Sequence, residues 1–302
     1  MEPAREPTLL TVPRTGTPSR LDVFVRAACP ALSRRLVHRL IDDGVVRLNG
    51  HAAAKGTRVA AGDHVTLPPL EVEPDPDLPV RVVHVDDRVV VVEKPGGMPG
   101  HALDPRQRGT VAAFLAGRFP ETAALGDPLS SGLAHRLDTG TSGLLLAART
   151  PDVYLRLREA FRAGEVTKRY LAIVAGAPPE HVIVDTALAH DPRDRRRMIP
   201  ASGQRAWPAR TEVTRLRVEG GRALVEATLR SGVTHQVRVH LALLGCPVLG
   251  DALYGGPDVG LPWTRHALHA SALVPSGRVG DLPGWTSELP ADLAALVPAL
   301  GR

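Results

Sequence analysis

One run of the sequence concentrates residues that could do chemistry: Gly132-Leu133-Ala134-His135-Arg136-Leu137-Asp138-Thr139-Gly140-Thr141-Ser142-Gly143-Leu144-Leu145-Leu146. It places a lone carboxylate, Asp138, in a polar loop that leads directly into an apolar strand. A side chain in such a loop can be fixed by the sheet and still meet a ligand. The plainer alternative is an Asx turn, with Asp138 capping the Thr139-Gly140 backbone; the residues alone leave both open. Other chemistries find less support. His235, His240, His266 and His269 suggest a metal site. However, the 235/240 spacing does not share a helix face, and no cysteine or acid completes a ligand set, so no metal is expected. Cys29 and Cys246 lie far apart and form no CxxC pair, which argues against a disulfide framework. No strand-to-helix GxGxxG and no Walker loop anchors a nucleotide cofactor. Ser142 lacks the G-x-S-x-G elbow of a serine hydrolase.

The elements that must position Asp138 are legible in outline. Val89–Val92 is a buried-type strand ending in the turn Glu93-Lys94-Pro95-Gly96-Gly97, and 144–148 is a second apolar strand. Asp152–Ala163 has a helical pattern, and Tyr170–Val174 and Ala223–Leu229 are further strands. Thr234–Leu244 is expected to be a helix closed by Gly245 and Pro247. Strands interspersed with a few helices from residue 81 to 302 predict an α+β catalytic domain with a mixed sheet.

Upstream lies a smaller unit. Residues 1–17 are expected to be a flexible leader, with compact order beginning near Ser19. Leu21–Ala28 is helical in pattern, and a second helix opens at Ser33, a good N-cap. At about 100° per residue, Leu36, Val37, Leu40 and Ile41 share one arc, while Arg34, Arg35, His38 and Arg39 fill the opposite one. A charged face is usually only a solvated face. Here the first two turns carry bases without an interleaved acid, which suits pairing with successive phosphates. Val45–Leu48 and 62–67 alternate as strands, with a turn at Asn49-Gly50. Residues 69–80 form an acidic, proline-rich linker expected to hold two domains apart.

Composition is compatible with this picture. The 302 residues suffice for a large domain and a small one, and aromatics make up only 3%, so Leu, Val and Ala must build the core. The formal charge of +5 and a pI near 9.7 suit a polyanionic partner. Only three lysines contribute, so the charge is carried by arginine. The N-terminus has prolines and glutamates where a signal peptide needs an apolar run, and no stretch approaches the ~20 apolar residues of a membrane span. A soluble, cytoplasmic protein with no membrane association is expected.

Residues 18–68 resemble an S4 RNA-binding module, through Ser19-Arg20-Leu21-Asp22, Leu32-Ser33-Arg34, Leu40-Ile41, Gly44-Val45-Val46, Asn49-Gly50 and Gly62-Asp63. The run around Asp138 resembles the signature of the RluA-type pseudouridine synthases. Three further blocks follow that family's order: Val85-Asp86-Asp87 with Lys94-Pro95-Gly96-Gly97; Lys168-Arg169-Tyr170-Leu171-Ala172; and Thr234-His235-Gln236-Val237-Arg238-Val239-His240 with Gly250-Asp251 and Tyr254-Gly255. The two resemblances together cover residues 18 to about 275. They imply an isomerase that turns specific uridines of structured RNA, ribosomal or transfer, into pseudouridine without a cofactor. Asp138 would be the nucleophile and Arg238 its cationic partner. Tyr170 would lie against the target base and assist loss of its C5 proton. Arg136 would fill the gap left by a flipped nucleotide. His235 and Gln236 would contact substrate, and Arg34, Arg35 and Arg39 would bind RNA.

One nucleophilic carboxylate suffices for such an isomerisation, whereas a glycoside hydrolase normally needs two opposed carboxylates. Two positions depart from the family pattern: Val233 stands where an arginine is expected, and Thr139-Gly140 replaces a Lys/Arg-Asp pair. The alternative function is a non-catalytic RNA-binding or ribosome-assembly factor that kept the fold. A monomer is expected.

Overall fold

The computed structural model describes residues 7–14, 18–30, 32–105, 107–262 and 265–297. Two compact units emerge, one from residues through 77 together with 101–132, the other from 78–100 together with 133 onward.

In the first unit the helices Leu21–Ala28 and Arg34–Asp42 form as their patterns require. The Ser33 hydroxyl accepts the Leu36 N–H at 3.2 Å, satisfying one of the donors that a helix start leaves open. Leu36, Val37, Leu40 and Ile41 are all buried. Asn49 and Gly50 take positive φ, 50° and 80°, the conformation a tight hairpin needs between Arg47–Leu48 and His51–Ala52.

Three expectations need correction here. Thr8–Thr11, assigned to a flexible leader, is a strand paired antiparallel with His64–Leu67. It adds an outer strand to the small sheet and brings Val12 into the core at 8% exposure. Residues 1–6 and 15–17 of that leader lie outside the described residues. The acidic segment is not a free spacer: Val72 is fully buried in the same core, the Asp75 N–H donates to the Ala113 carbonyl at 2.9 Å, and Glu73 pairs with Arg108. Finally, the helix Val111–Arg118, from the stretch assigned to the catalytic domain, packs Ala112 and Ala116 into this core. The small alanine face admits close approach, and Gly117 is tighter still, since a Cβ there would meet the Pro76 nitrogen at 2.7 Å.

The second unit is built on a nine-stranded mixed sheet among the described residues. Its order runs His181–Asp185, Arg210–Glu219, Arg222–Leu229, Val166–Ala175, Leu268–Pro275, Ser142–Ala148, Val89–Lys94 and Arg81–Val85, with Trp285–Thr286 pairing off this path with Leu268–Pro275. One junction is parallel, Leu268–Pro275 against Ser142–Ala148; the others are antiparallel. Ser142–Ala148 is buried along its whole length, as expected of a central strand covered on both faces. The helix Gln236–Leu243 follows the expected span closely. A short hairpin, Leu188–His190 with Met198–Pro200, forms a separate two-stranded ladder, the arm, and is seated on a small core of Leu188, Met198, Ala209 and Val239.

The α+β class and the mixed sheet are thus the architecture of the chain. No helix among the described residues is long and apolar enough to cross a membrane.

Candidate active site

The loop that carries Asp138 is held at three successive backbone oxygens. The Asp138 carbonyl accepts the Thr141 N–H at 3.1 Å, and the Thr139 carbonyl accepts the Gly97 N–H at 2.8 Å. Thr139 also accepts from Lys94 Nζ at 2.9 Å, and the Gly140 carbonyl accepts from Arg265 Nη1 at 2.9 Å. Lys94 is fully buried, and its remaining donors reach the Pro95 and Met98 carbonyls at 2.9 and 2.6 Å. Three carbonyls therefore match the three N–H groups of an ammonium, while burial draws its pKa down to about 7. The Lys-Pro-Gly-Gly turn is a brace for the Asp138 loop. Gly96 admits the Arg265 side chain, which a Cβ would meet at 2.4 Å.

The strand after the loop is registered as tightly. Ser142 lies opposite His269 and Gly143 opposite Ala270 in the parallel ladder. Gly143 has φ +118°, and a Cβ there would sit 2.3 Å from the Ala270 oxygen, so this position requires glycine. The Ser142 hydroxyl and His269 Nδ1 are 2.8 Å apart, and Thr141 Oγ1 and His266 Nε2 are also 2.8 Å apart. Burial pushes both imidazoles down to a pKa of about 4. Both rings are neutral at pH 7.

Asp138 faces the helix Gln236–Leu243. Arg238 Nη1 donates to its Oδ2 at 3.0 Å, while Arg238 Nε and Nη2 grip Asp251 at 2.7 and 2.8 Å. This two-point grip fixes the guanidinium plane and leaves Nη1 aimed at Asp138. The Arg238 guanidinium also lies 5.1 Å from the Tyr254 ring centre. His235, at φ 57°, brings Nε2 to 3.7 Å from Asp138 Oδ2. The Tyr254 hydroxyl accepts the Met198 N–H at 2.8 Å, so its own proton points at His235 Nδ1, 2.8 Å away. With the Tyr254 proton on that bond, His235 carries its own proton on Nε2, which faces Asp138. Burial would raise the Asp138 pKa, but His235 and Arg238 outweigh it and hold the carboxyl below its usual range. Of these, Arg238 keeps its charge at any working pH.

Asp138, Tyr170, His235, Arg238 and Arg136 line one open pocket, so the expected catalytic group comes together around it. Arg136 is exposed at its rim. Tyr170 is 9% exposed, and burial, reinforced by the Asp138 charge, raises its phenol well above 10. Its phenol therefore keeps its proton at neutral pH.

Gln236 also borders the pocket, but its amide is committed elsewhere. Oε1 accepts from the Ser231 hydroxyl and the Val233 N–H, and Nε2 donates to the Arg210 carbonyl and Thr211 Oγ1. Both lone pairs and both protons are used, so Gln236 supports the 231–233 loop rather than substrate. Val233, at the position of the family arginine, packs on the Leu188/Met198/Ala209/Val239 core that seats the hairpin arm. In the first unit Arg34 and Arg35 are exposed, whereas Arg39 donates to the Leu103 carbonyl at 3.2 Å. Sequence reasoning missed Asp251 and Tyr254 as parts of the site, although both stand in the Gly250-Asp251 and Tyr254-Gly255 blocks.

A carboxylate held ionised by a clamped arginine, beside a buried tyrosine and behind a basic rim, suits attack on a neutral ring presented from a polyanion. The comparisons agree. Residues 88–243 match the RNA pseudouridylate synthase family, and residues 19–65 match the S4 domain. An uncharacterised RNA pseudouridine synthase of Chloroflexus aurantiacus is 39% identical over 98% of this chain and 94% of its own length. A ribosomal large subunit pseudouridine synthase D of Nitrosomonas europaea is 32% identical over 96% of this chain and 87% of its own. The solved structure of human RNA pseudouridylate synthase domain containing 4 superposes with a TM-score of 0.56 at 25% identity, covering 71% of this chain and 90% of that one. This chain belongs to the RNA pseudouridylate synthase family, as an enzyme with an N-terminal S4 domain.

Proposed function

We propose that the enzyme isomerises uridine in large-subunit ribosomal RNA, with Asp138 as nucleophile and no cofactor. The pairing of Asp138 with Arg238 in the pocket that Tyr170 lines carries this reading. The overall chemistry balances within the substrate. The C1′–N1 bond breaks, the base turns, C1′ bonds to C5, C5 loses a proton and N1 carries one. A carboxylate can hold the detached partner covalently while the base turns. Arg238 and the His235 Nε2–H favour the ionised form before attack, and the Tyr170 ring gives the base a flat surface. Arg136 at the rim is placed to enter the stack that a flipped nucleotide leaves. The S4 helix offers Arg34 and Arg35 to phosphates, while the Arg39 bond to Leu103 assigns that side chain first to the fold.

The ribosomal target rests on relatives such as the pseudouridine synthase D of Nitrosomonas europaea. A cytoplasmic monomer is the accompanying proposal. Pseudouridine mapping across total RNA, from cells with and without the gene, tests the target. Loss of one or a few pseudouridines in large-subunit ribosomal RNA is expected. Loss confined to transfer RNA, or none, would contradict the assignment.

A further inference from the structure

A second binding feature adjoins the catalytic pocket within the same unit. Arg136, Lys168 and the Gly232–Thr234 loop line that pocket and also a groove of about 570 Å³ beside it. One wall of the groove presents Arg158, Arg162 and Phe161; the other presents His190 and Trp207 from the hairpin arm. Its described lining contains no Asp or Glu. Beyond Trp207 the surface continues past Arg195 and Arg205, with Asp191 as its one carboxylate among the described residues.

Trp207 is unusual in this chain. Its aromatic content is 3%, and Trp207, at 49% exposure, is the one aromatic among the exposed large hydrophobic side chains of the described residues. It is not a loose side chain on a frayed loop. Its N–H donates to the Leu188 carbonyl at 2.8 Å, and its carbonyl accepts the Leu188 N–H at 3.0 Å. The His190 ring meets it edge-on at 5.7 Å, which orients the indole and leaves a face available. The backbone is anchored through Leu188 to the small core that Val233 covers.

A cationic groove that leads from a base-processing pocket to a fixed, exposed indole has the two parts of a single-strand nucleic-acid site: charge along the backbone and a ring for a base. We infer that Trp207 is a stacking platform for a second nucleobase of the substrate strand, with Arg162 following the intervening phosphate and Arg158, held by its Nη1 bond to the Ala134 carbonyl at 3.1 Å, adding positive charge to the wall. The inference rests on the enzyme's action on RNA and adds a nucleotide subsite on the arm. It also gives Val233 a role. An apolar residue there completes the seat of the arm, and cation density is supplied instead by Arg158 and Arg162.

The test uses the full chain and an oligouridylate of about ten nucleotides, a length typical of single-strand sites. Binding is read by anisotropy over a salt series, for wild type, Trp207→Ala, Trp207→Phe and Arg162→Gln. Loss of one stacking ring should weaken binding by about tenfold with the salt slope unchanged, and Trp207→Phe should recover most of it. Arg162→Gln should lower the log–log slope by roughly 0.7, the value for one phosphate left unneutralised on a single strand. Thermal melting should be the same for the two Trp207 variants and wild type. Equal affinity of Trp207→Ala and wild type would overturn the subsite. So would a Trp207→Phe variant as weak as Trp207→Ala with both melting lower, because the indole would then be packing only. Failure of the underlying reading appears in wild type alone, as no tritium release from C5-labelled uridine in RNA, and would remove the proposal with it.

Discussion

Arg238 sits between two carboxylates, and the two are not equivalent. Asp251 is 1% exposed at its side chain and takes both Nε and Nη2, whereas Asp138 is 19% exposed and takes Nη1 alone. Arg238→Met therefore strands one deeply buried charge and releases a second. Removing one partner of a buried pair costs ~3–5 kcal/mol. The expected result is a lower melting temperature together with loss of turnover; unchanged melting would show that the clamp contributes nothing to the fold. His266 and His269 give a second prediction. Their pKa values of about 4 lie below the ordinary 6.5, so between these limits the unfolded chain binds protons that the folded one excludes. Stability is fully present above pH 6.5 and falls as the pH drops towards 4, by on the order of 3 kcal/mol for each ring. Melts across that window should show the decline, and His269→Gln, which cannot titrate, should flatten it; identical slopes for wild type and variant would exclude His269 as the source.

Among the elements, the Ser142–Ala148 strand and its preceding loop govern the site. Gly143→Ala would drive a Cβ into the Ala270 backbone at 2.3 Å in a conformation that L side chains avoid. A loss of about 3 kcal/mol or more is expected, because overpacking and φ strain add. Denaturant melts check it, and wild-type stability would show that the two strands can part at no cost. The elements read correctly from sequence are those with a strong local period: the amphipathic Arg34–Asp42 helix, the all-apolar strands at 89 and 144, and the helix after Thr234. Those missed lack such a period. Val111–Arg118 is apolar on nearly every side, with six of its eight residues buried, so no face stands out. Leu268–Pro275 is a buried strand interrupted by His269 and Ser271, polar residues whose hydroxyl and carbonyl partners lie on other segments. Thr8–Thr11 is an outer strand that owes its order to pairing with residues more than fifty positions away. Likewise, the Asp138–Arg238 pair was legible through the family motif, but the Asp251 clamp and the Tyr254–His235 relay were not, because nothing local shows which partner a buried guanidinium will take.

At the scale of the whole molecule, the chain joins an RNA-docking module to a catalytic sheet, and the two contributions can be separated by salt. Arg34 and Arg35 are exposed on the face opposite Leu36, Val37, Leu40 and Ile41. Arg34→Gln/Arg35→Gln should leave melting unchanged and weaken binding to a structured ribosomal RNA transcript. Its log–log salt slope should fall by roughly 0.7–0.9 for every phosphate that the two arginines neutralise. An unaltered slope would mean that the face is only solvated. The central claim lies in the other unit and is narrower: Asp138 performs the isomerisation. The direct measurement is tritium release from C5-labelled uridine in a large-subunit ribosomal RNA transcript, comparing wild type with Asp138→Asn. The substitution preserves size, and its amide oxygen can still accept from Arg238, but the nucleophilic charge is gone. Release should disappear while RNA affinity and melting stay close to wild type. Substantial release from a folded Asp138→Asn protein would contradict the account.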